Sequence, residues 1–219
     1  MKSLKYLGAV ALLSNLWASS AFALPIAWTD WQAGAATVAT GQMTVGLDVI
    51  GVTATSTSNY NLVQTGTGTN YLTGDAYTKG EVDNSPTPSE LIQLNAGGTV
   101  TLTFSQAIEN IFIAVVSANG NTMDFGTAIT IDSNGSGFWG AGTPIVNGTG
   151  TGFFGVGEVH GVIKAAGEFT SLSFTHTSEN WHGFTLGVEG LAPSVPEPGS
   201  LLILLSGLLG FRLTRRRTV

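Results

Sequence analysis

The chain has 219 residues, 43% of them hydrophobic, with 30 glycines, no cysteine and a formal charge of −6. Without cysteine there can be no thiol nucleophile, disulfide framework or Cys-based zinc site. Six of the eight basic residues (Lys2, Lys5, Arg212, Arg215, Arg216 and Arg217) lie near the termini, leaving Lys79 and Lys164 against 13 acidic residues between Leu24 and Val195, a local charge of −11. That balance excludes nucleic acid as a partner, because phosphates need a basic footprint, and it opposes anionic membrane surfaces and acidic polysaccharide unless divalent cations bridge them.

At the start of the chain, Lys2 and Lys5 precede the apolar run Leu7 to Leu13, and Ala21-Phe22-Ala23 has the A-x-A form of a cleavage site. The pattern predicts a helical secretory signal peptide over residues 1–23, cleaved after Ala23. From Leu24 to Val195 there are 172 residues. That length suits one domain with a real core, burying roughly 70% of the surface of its unfolded chain. Residues 24–191 are assigned to that domain and 192–219 to a linker and tail.

Within the domain, apolar residues recur with a period of two and nowhere sustain a 3.6-residue period, which predicts strands. Met43, Val45, Leu47 and Val49 alternate with Thr44, Gly46, Asp48 and Ile50. Residues 64–89 are rich in Gly, Thr and Pro and predict a long loop, stiffened by Pro86 and Pro88. Val100, Leu102 and Phe104 alternate with Thr101, Thr103 and Ser105, and Ile111 to Val116 is almost wholly apolar, as a strand covered on both faces would be. Val159 to Ala166, Leu172 with Phe174, and Phe184 with Leu186 and Val188 give further strands. Turn signals stand between them at Gly97-Gly98, Asn119-Gly120, Asn134-Gly135 and Asn147-Gly148. About ten strands at this spacing predict an all-β fold, an antiparallel two-sheet sandwich of jelly-roll type.

Residues suited to chemistry are sparse. His160, His176 and His182 are the histidines, and Glu179 lies between the last two. The spacing does not match a helical H-E-x-x-H zinc site. The segment from His176 to His182 is expected to be a hairpin turn with polar strand ends. Asp132 and Asn134, in Asp132-Ser133-Asn134-Gly135-Ser136-Gly137, are the calcium candidates, since alternating oxygen ligands in a glycine-containing loop suit that ion. Thr143 stands where an EF-hand would place its glutamate. Asn134-Gly135 also signals a hairpin, and the turn is the preferred reading.

Trp139 and Trp181 fall in predicted loops or strand ends, where an indole face can stack on a sugar ring. Trp28 and Trp31 are weighed with them, although aromatics also dominate cores. A hydrolase would need two carboxylates in one cleft, for which Glu158 and Glu168 are named without a supporting motif.

The tail reads Val195-Pro196-Glu197-Pro198, then the apolar run Leu201 to Phe211, then a cluster with Arg215, Arg216 and Arg217. Prolines keep the motif extended, and the arginines favour the cytoplasmic side. The run of 11 residues predicts a single membrane helix of about 16 Å, short for a hydrocarbon core of roughly 30 Å and so suited to a transient anchor.

These residues resemble the PEP-CTERM sorting signal of Gram-negative bacteria. The resemblance covers about 25 residues. It implies recognition by an exosortase, a membrane-embedded cysteine-protease-like transpeptidase, and cleavage near the motif. It further implies passage through the inner membrane as an anchored precursor, then display at the cell surface or in an extracellular, biofilm-type matrix.

The combined expectation is an exported, non-catalytic surface or matrix protein with no required cofactor. Exosortase is its processing partner, the inner membrane its transient host, and exopolysaccharide a candidate ligand. A carbohydrate-binding module is the alternative function.

Overall fold

The structure, a computed structural model, describes residues 25–193. The signal segment with Ala21 and Ala23, the Val195–Pro198 motif, the apolar run and Arg215 to Arg217 lie outside the described residues, as do the two helices expected there. No helix among the described residues is long and apolar enough to cross a membrane.

Thirteen strands form where about ten are expected. In chain order they are β1 (Ala27–Trp28), β2 (Asp30–Ala35), β3 (Val38–Val45), β4 (Asp48–Ser56), β5 (Leu62–Thr65), β6 (Glu90–Leu94), β7 (Gly98–Ala118), β8 (Thr122–Asp124), β9 (Ile129–Gly135), β10 (Gly142–Val146), β11 (Gly152–Gly157), β12 (Val159–His176) and β13 (His182–Leu191). Every pairing among them is antiparallel. The all-β, antiparallel expectation therefore stands.

The division into two separate sheets does not appear in the hydrogen bonding, which links all 13 strands into one network. The reason is the length of β7, with 21 residues, and β12, with 18. They pair along most of their course, with register shifts between Ala165 and Glu168 and between Phe169 and Ser171. Near those shifts Asn110 (φ 51°) and Gly167 (φ 128°) leave the extended region, and Gly167 N–H donates to Asn110 Oδ1 at 2.9 Å. The first half of β7 pairs with β4 and the second half with β13. Val100, Leu102 and Phe104 from the first half share one core cluster with Ile111, Ile113 and Val115 from the second. The long ribbon thus doubles over, and its two halves face each other across that cluster.

Ile111 to Val116 is covered on both faces, as its composition predicts. Ile111, Ile113 and Val115 face the main cluster, while Phe112, Ala114 and Val116 join a second one. The loop between β5 and β6 supplies Leu72, Ala76, Tyr77 and Val82 to that second cluster. This stretch is polar on average, yet it seals a hydrophobic face, with a short 3-10 turn at Asp75–Tyr77.

Two turn expectations need correction. The run from Met43 to Ile50 is two strands joined at Gly46-Leu47, where Gly46 takes φ 61° and Leu47 is fully exposed. A hairpin connection as short as two residues can interrupt the period-2 pattern without breaking it visibly. Asn134-Gly135 is not a turn but the end of β9, with Gly161 opposite Asn134 and His160 opposite Gly135. The chain reverses just beyond, where Gly137 and Gly140 exchange backbone hydrogen bonds.

Trp28 and Trp31 are both buried. Trp31 donates its indole N–H to Thr185 Oγ1 at 3.2 Å and its backbone N–H to Glu90 Oε2 at 2.6 Å. Burial pushes the Glu90 carboxyl up to about 7. Trp31→Ala is therefore expected to destabilise the domain by about 3–5 kcal/mol, read from the midpoint of denaturant unfolding.

Candidate functional site

One end of the doubled ribbon gathers residues that are far apart in sequence into a cleft of about 440 Å³. The C-terminal end of β7 supplies Ser117 and Asn119, the β11–β12 junction supplies Glu158, and the β12–β13 connection supplies Glu179, Asn180 and Trp181. Trp139 reaches in from the β9–β10 turn.

Each element is held there for a local reason. Near the end of β7 the register with β12 slips between Val159 and Gly161, so that Val116 and Ser117 lie opposite His160 alone. Such a bulge re-aims side chains. Ser117 sits in the left-handed region at φ 57°, a conformation costing a non-glycine residue about 1 kcal/mol or more. Its hydroxyl donates to Glu158 Oε2. The β9–β10 turn lies tight on the fold because residue 137 is glycine, since a Cβ there would collide with the His160 imidazole. His160 itself is buried, with Nδ1 3.1 Å from the Tyr77 hydroxyl.

The aromatic side belongs to a cluster of four rings, of which Trp139 and Trp181 line the cleft. Tyr71 from the β5–β6 loop stacks on Trp139, with ring centroids 5.2 Å apart and planes at 22°. Trp181 meets Trp139 edge to face at 4.4 Å and Tyr71 at 4.8 Å. Phe138 closes the group at 4.8 Å from Trp139. Trp139 keeps 43% of its surface exposed, Phe138 42%, and Trp181 is half-buried against the second core cluster. Of the four tryptophans weighed as sugar platforms, two are core and two form one surface.

The rest of the lining is polar and carries two acids. Asn119 ties the two carboxylates together: its backbone N–H donates to Glu179 Oε1 at 3.0 Å and its side-chain amide to Glu158 Oε1 at 2.8 Å. Glu179 is pushed up to about 7, first by burial and then by the neighbouring charge of Glu158. Its Oε2 is buried without a hydrogen-bond partner and lies 3.6 Å from His182 Nδ1. Behind it, His182 Nε2 is 3.1 Å from His176 Nδ1. Burial lowers both imidazoles, with His182 pushed down to about 3, so neither supplies a positive charge at neutral pH.

His176 and His182 do stand at strand ends, the last residue of β12 and the first of β13, but they are buried and paired with each other, and His160 is buried against Tyr77. The connection that carries Glu179 is not a hairpin turn, because β12 and β13 flank β7 on opposite sides instead of pairing with each other. His176 pairs opposite Gly98 at the start of β7, whereas Gly183 pairs opposite Val116 near its end, and the doubling of β7 is what brings His176 and His182 together.

The calcium candidates lie outside the cleft. Asp132 is the extra residue of a β9 bulge, and its Oδ1 accepts the Glu81 N–H at 3.0 Å. Asn134 is exposed and donates to the Gly142 carbonyl at 3.3 Å. Among the described residues no group of three or more His, Asp or Glu side chains is placed to hold a metal. Of the two carboxylates named for a hydrolase, Glu158 lines the cleft, whereas Glu168 is exposed at the ribbon's bend, opposite Glu109. The second acid of the cleft is Glu179, which the sequence presents only as a neighbour of histidines.

The described domain is therefore an all-β fold with an acidic, aromatic-walled cleft at one end. Beyond it, residues 194–217 match the PEP-CTERM protein-sorting motif, and this motif implies exosortase-dependent sorting to the cell surface. No curated protein and no solved structure matches the chain.

The raised Glu179 carboxyl fixes a sign for pH dependence. A carboxyl whose folded value (about 7) exceeds its ordinary 4.5 stabilises the fold fully at pH below 4.5, and that contribution is lost as pH rises through 7. Glu179→Gln removes this loss. Relative to the parent, the variant is expected to gain roughly 1–2 kcal/mol between pH 4.5 and pH 8, less than the whole shift because the cleft is open to water. Denaturant midpoints at the two pH values measure it.

Proposed function

We propose that this chain is an exported surface or matrix protein, cleaved at its tail by an exosortase, whose sandwich-like domain holds carbohydrate without transforming it. The observation that carries the binding role is the pair Trp139 and Trp181, with Tyr71 stacked on Trp139, sharing one cleft lining with the polar side chains of Asn119, Asn180, Glu158 and Glu179. A flat, partly exposed indole offers the apolar face that a pyranose ring covers, and the amides and carboxylates beside it are placed to take hydroxyl hydrogen bonds.

Binding is favoured over hydrolysis by how the carboxylates are held. Glu158 accepts hydrogen bonds at both oxygens, and Glu179 has one oxygen on an amide N–H and the other shut away toward His182. Neither acid presents a carboxyl oxygen that is both unbonded and accessible: the unpartnered Oε2 of Glu179 is buried, and the other three oxygens each accept a hydrogen bond. We assign the domain no cofactor, and calcium at Asp132 and Asn134 no role. The charge of −11 between Leu24 and Val195 directs the choice of ligand away from acidic polymers.

Two experiments test the parts separately. Mass measurement of the protein from its host, with and without the exosortase, is expected to show loss of the chain beyond about Pro198 only when the enzyme is present. An unchanged C-terminus in both strains overturns the processing step. For the domain, titration with a panel of soluble oligosaccharides is expected to show binding that Trp139→Ala weakens at least tenfold, while costing under about 1 kcal/mol of stability because the ring is half-exposed. Release of new reducing ends during the titration overturns the non-catalytic part.

A further inference from the structure

The cleft joins an aromatic wall to two carboxylates that no cation neutralises. Among the described residues the lysines are Lys79 and Lys164, and each is committed elsewhere: Lys79 pairs with Asp75 at 2.6 Å and Lys164 with Glu81. His182, the nearest imidazole to Glu179, is buried and neutral at neutral pH. The donors that reach the carboxylates are an amide N–H, a carboxamide and a hydroxyl, none of them charged. Two acids held beside each other without a counter-ion make a site that is incomplete until a cation enters.

We infer that the cleft selects amino sugars bearing a free ammonium group, such as the glucosamine units of a de-N-acetylated polysaccharide, over neutral or N-acetylated sugars. The inference rests on the carbohydrate-binding reading and specifies its ligand class. In this arrangement the pyranose face lies on Trp139 and its ammonium group points across the cleft to Glu158 and Glu179. An ammonium has three donors and no acceptor, which suits Glu158 Oε1, Glu158 Oε2 and Glu179 Oε1, oxygens that each accept one hydrogen bond and retain a further lone pair. The same cation gains from the π-faces of Trp139 and Trp181. An acetamide has no charge and a single N–H donor, and a neutral hydroxyl leaves the carboxylates uncompensated. The strongly acidic domain would also draw a polycationic chain toward its surface before the cleft engages it.

The test is calorimetric titration of the full chain in detergent with three hexasaccharides: fully deacetylated glucosamine, its fully N-acetylated counterpart, and a β-glucan. The deacetylated oligomer is expected to bind at least tenfold more tightly than either of the others. Glu158→Gln and Glu179→Gln, which keep the hydrogen-bonding shape, are each expected to reduce that preference several-fold. Trp139→Ala should weaken all three ligands. Asp48→Asn, at the far β3–β4 hairpin, should change none.

Equal affinity for the three oligomers, or a preference for the acetylated one, overturns the amino-sugar inference while leaving carbohydrate binding in place. Binding of the deacetylated oligomer that ignores Trp139→Ala, or falls as much with Asp48→Asn as with Glu158→Gln, is diffuse attraction to an acidic surface and also overturns it. Failure of all three to bind removes the carbohydrate reading itself.

Discussion

Everything in this domain depends on burying the second half of β7 on both faces. Ile111 to Val116 has no polar side chain to offer water, so both faces must be covered by something else. One cover is the first half of the same ribbon, which doubles back and packs Val100, Leu102 and Phe104 against the odd-numbered residues. The other is the β5–β6 loop, whose Leu72, Tyr77 and Val82 seal the even-numbered ones. The described domain, whose single helical element is a 3-10 turn, builds its two-sided core by folding a long strand pair over itself and lidding what remains. The β7–β12 ladder breaks register at the bend and resumes on either side of it, so both halves of the ribbon keep a paired neighbour.

The cleft is a by-product of the same two covers. Doubling the ribbon brings the end of β7 beside the β12–β13 connection and sets Asn119 against Glu179. The lidding loop brings Tyr71 to the β9–β10 turn, where it supports Trp139. The site therefore has no motif of its own. Its residues come from five segments, and the polar half is organised by a single asparagine that addresses one carboxylate with its backbone and the other with its side chain. Ser117 adds a strained backbone for the sake of one contact to Glu158.

This origin explains what could be read from the sequence. The alternation at Val100 to Phe104 and the unbroken apolar run at Ile111 to Val116 are direct records of burial, so class and core are legible. The tail is legible because its three parts are contiguous. Trp139 and Trp181 could be singled out because each falls in an expected loop or strand end. Their partnership could not, because it arises from the doubling of β7, a non-local event that leaves no mark on local periodicity. Asn134-Gly135 misleads for a related reason: pairing with β12 overrides its turn preference, and the reversal moves to the glycines beyond. Glu179 is hidden by its histidine neighbours, which turn inward to each other while the acid lines the cleft. The hydrogen bonding does not divide into two separate sheets, because one strand is long enough to belong to both layers.

β13 starts at His182, one residue beyond Trp181, and ends at Leu191, close to the linker that leads to the sorting motif. It lies between β7 and β6 and touches β1 near its middle, so it is held laterally for most of its length. A pull between a ligand in the cleft and an attachment at the C-terminal end would run along this one strand, with the hydrogen bonds to β7 loaded in shear and not peeled apart in turn. The fold places the two ends of that mechanical path at opposite ends of one laterally held strand, an arrangement suited to carrying tension.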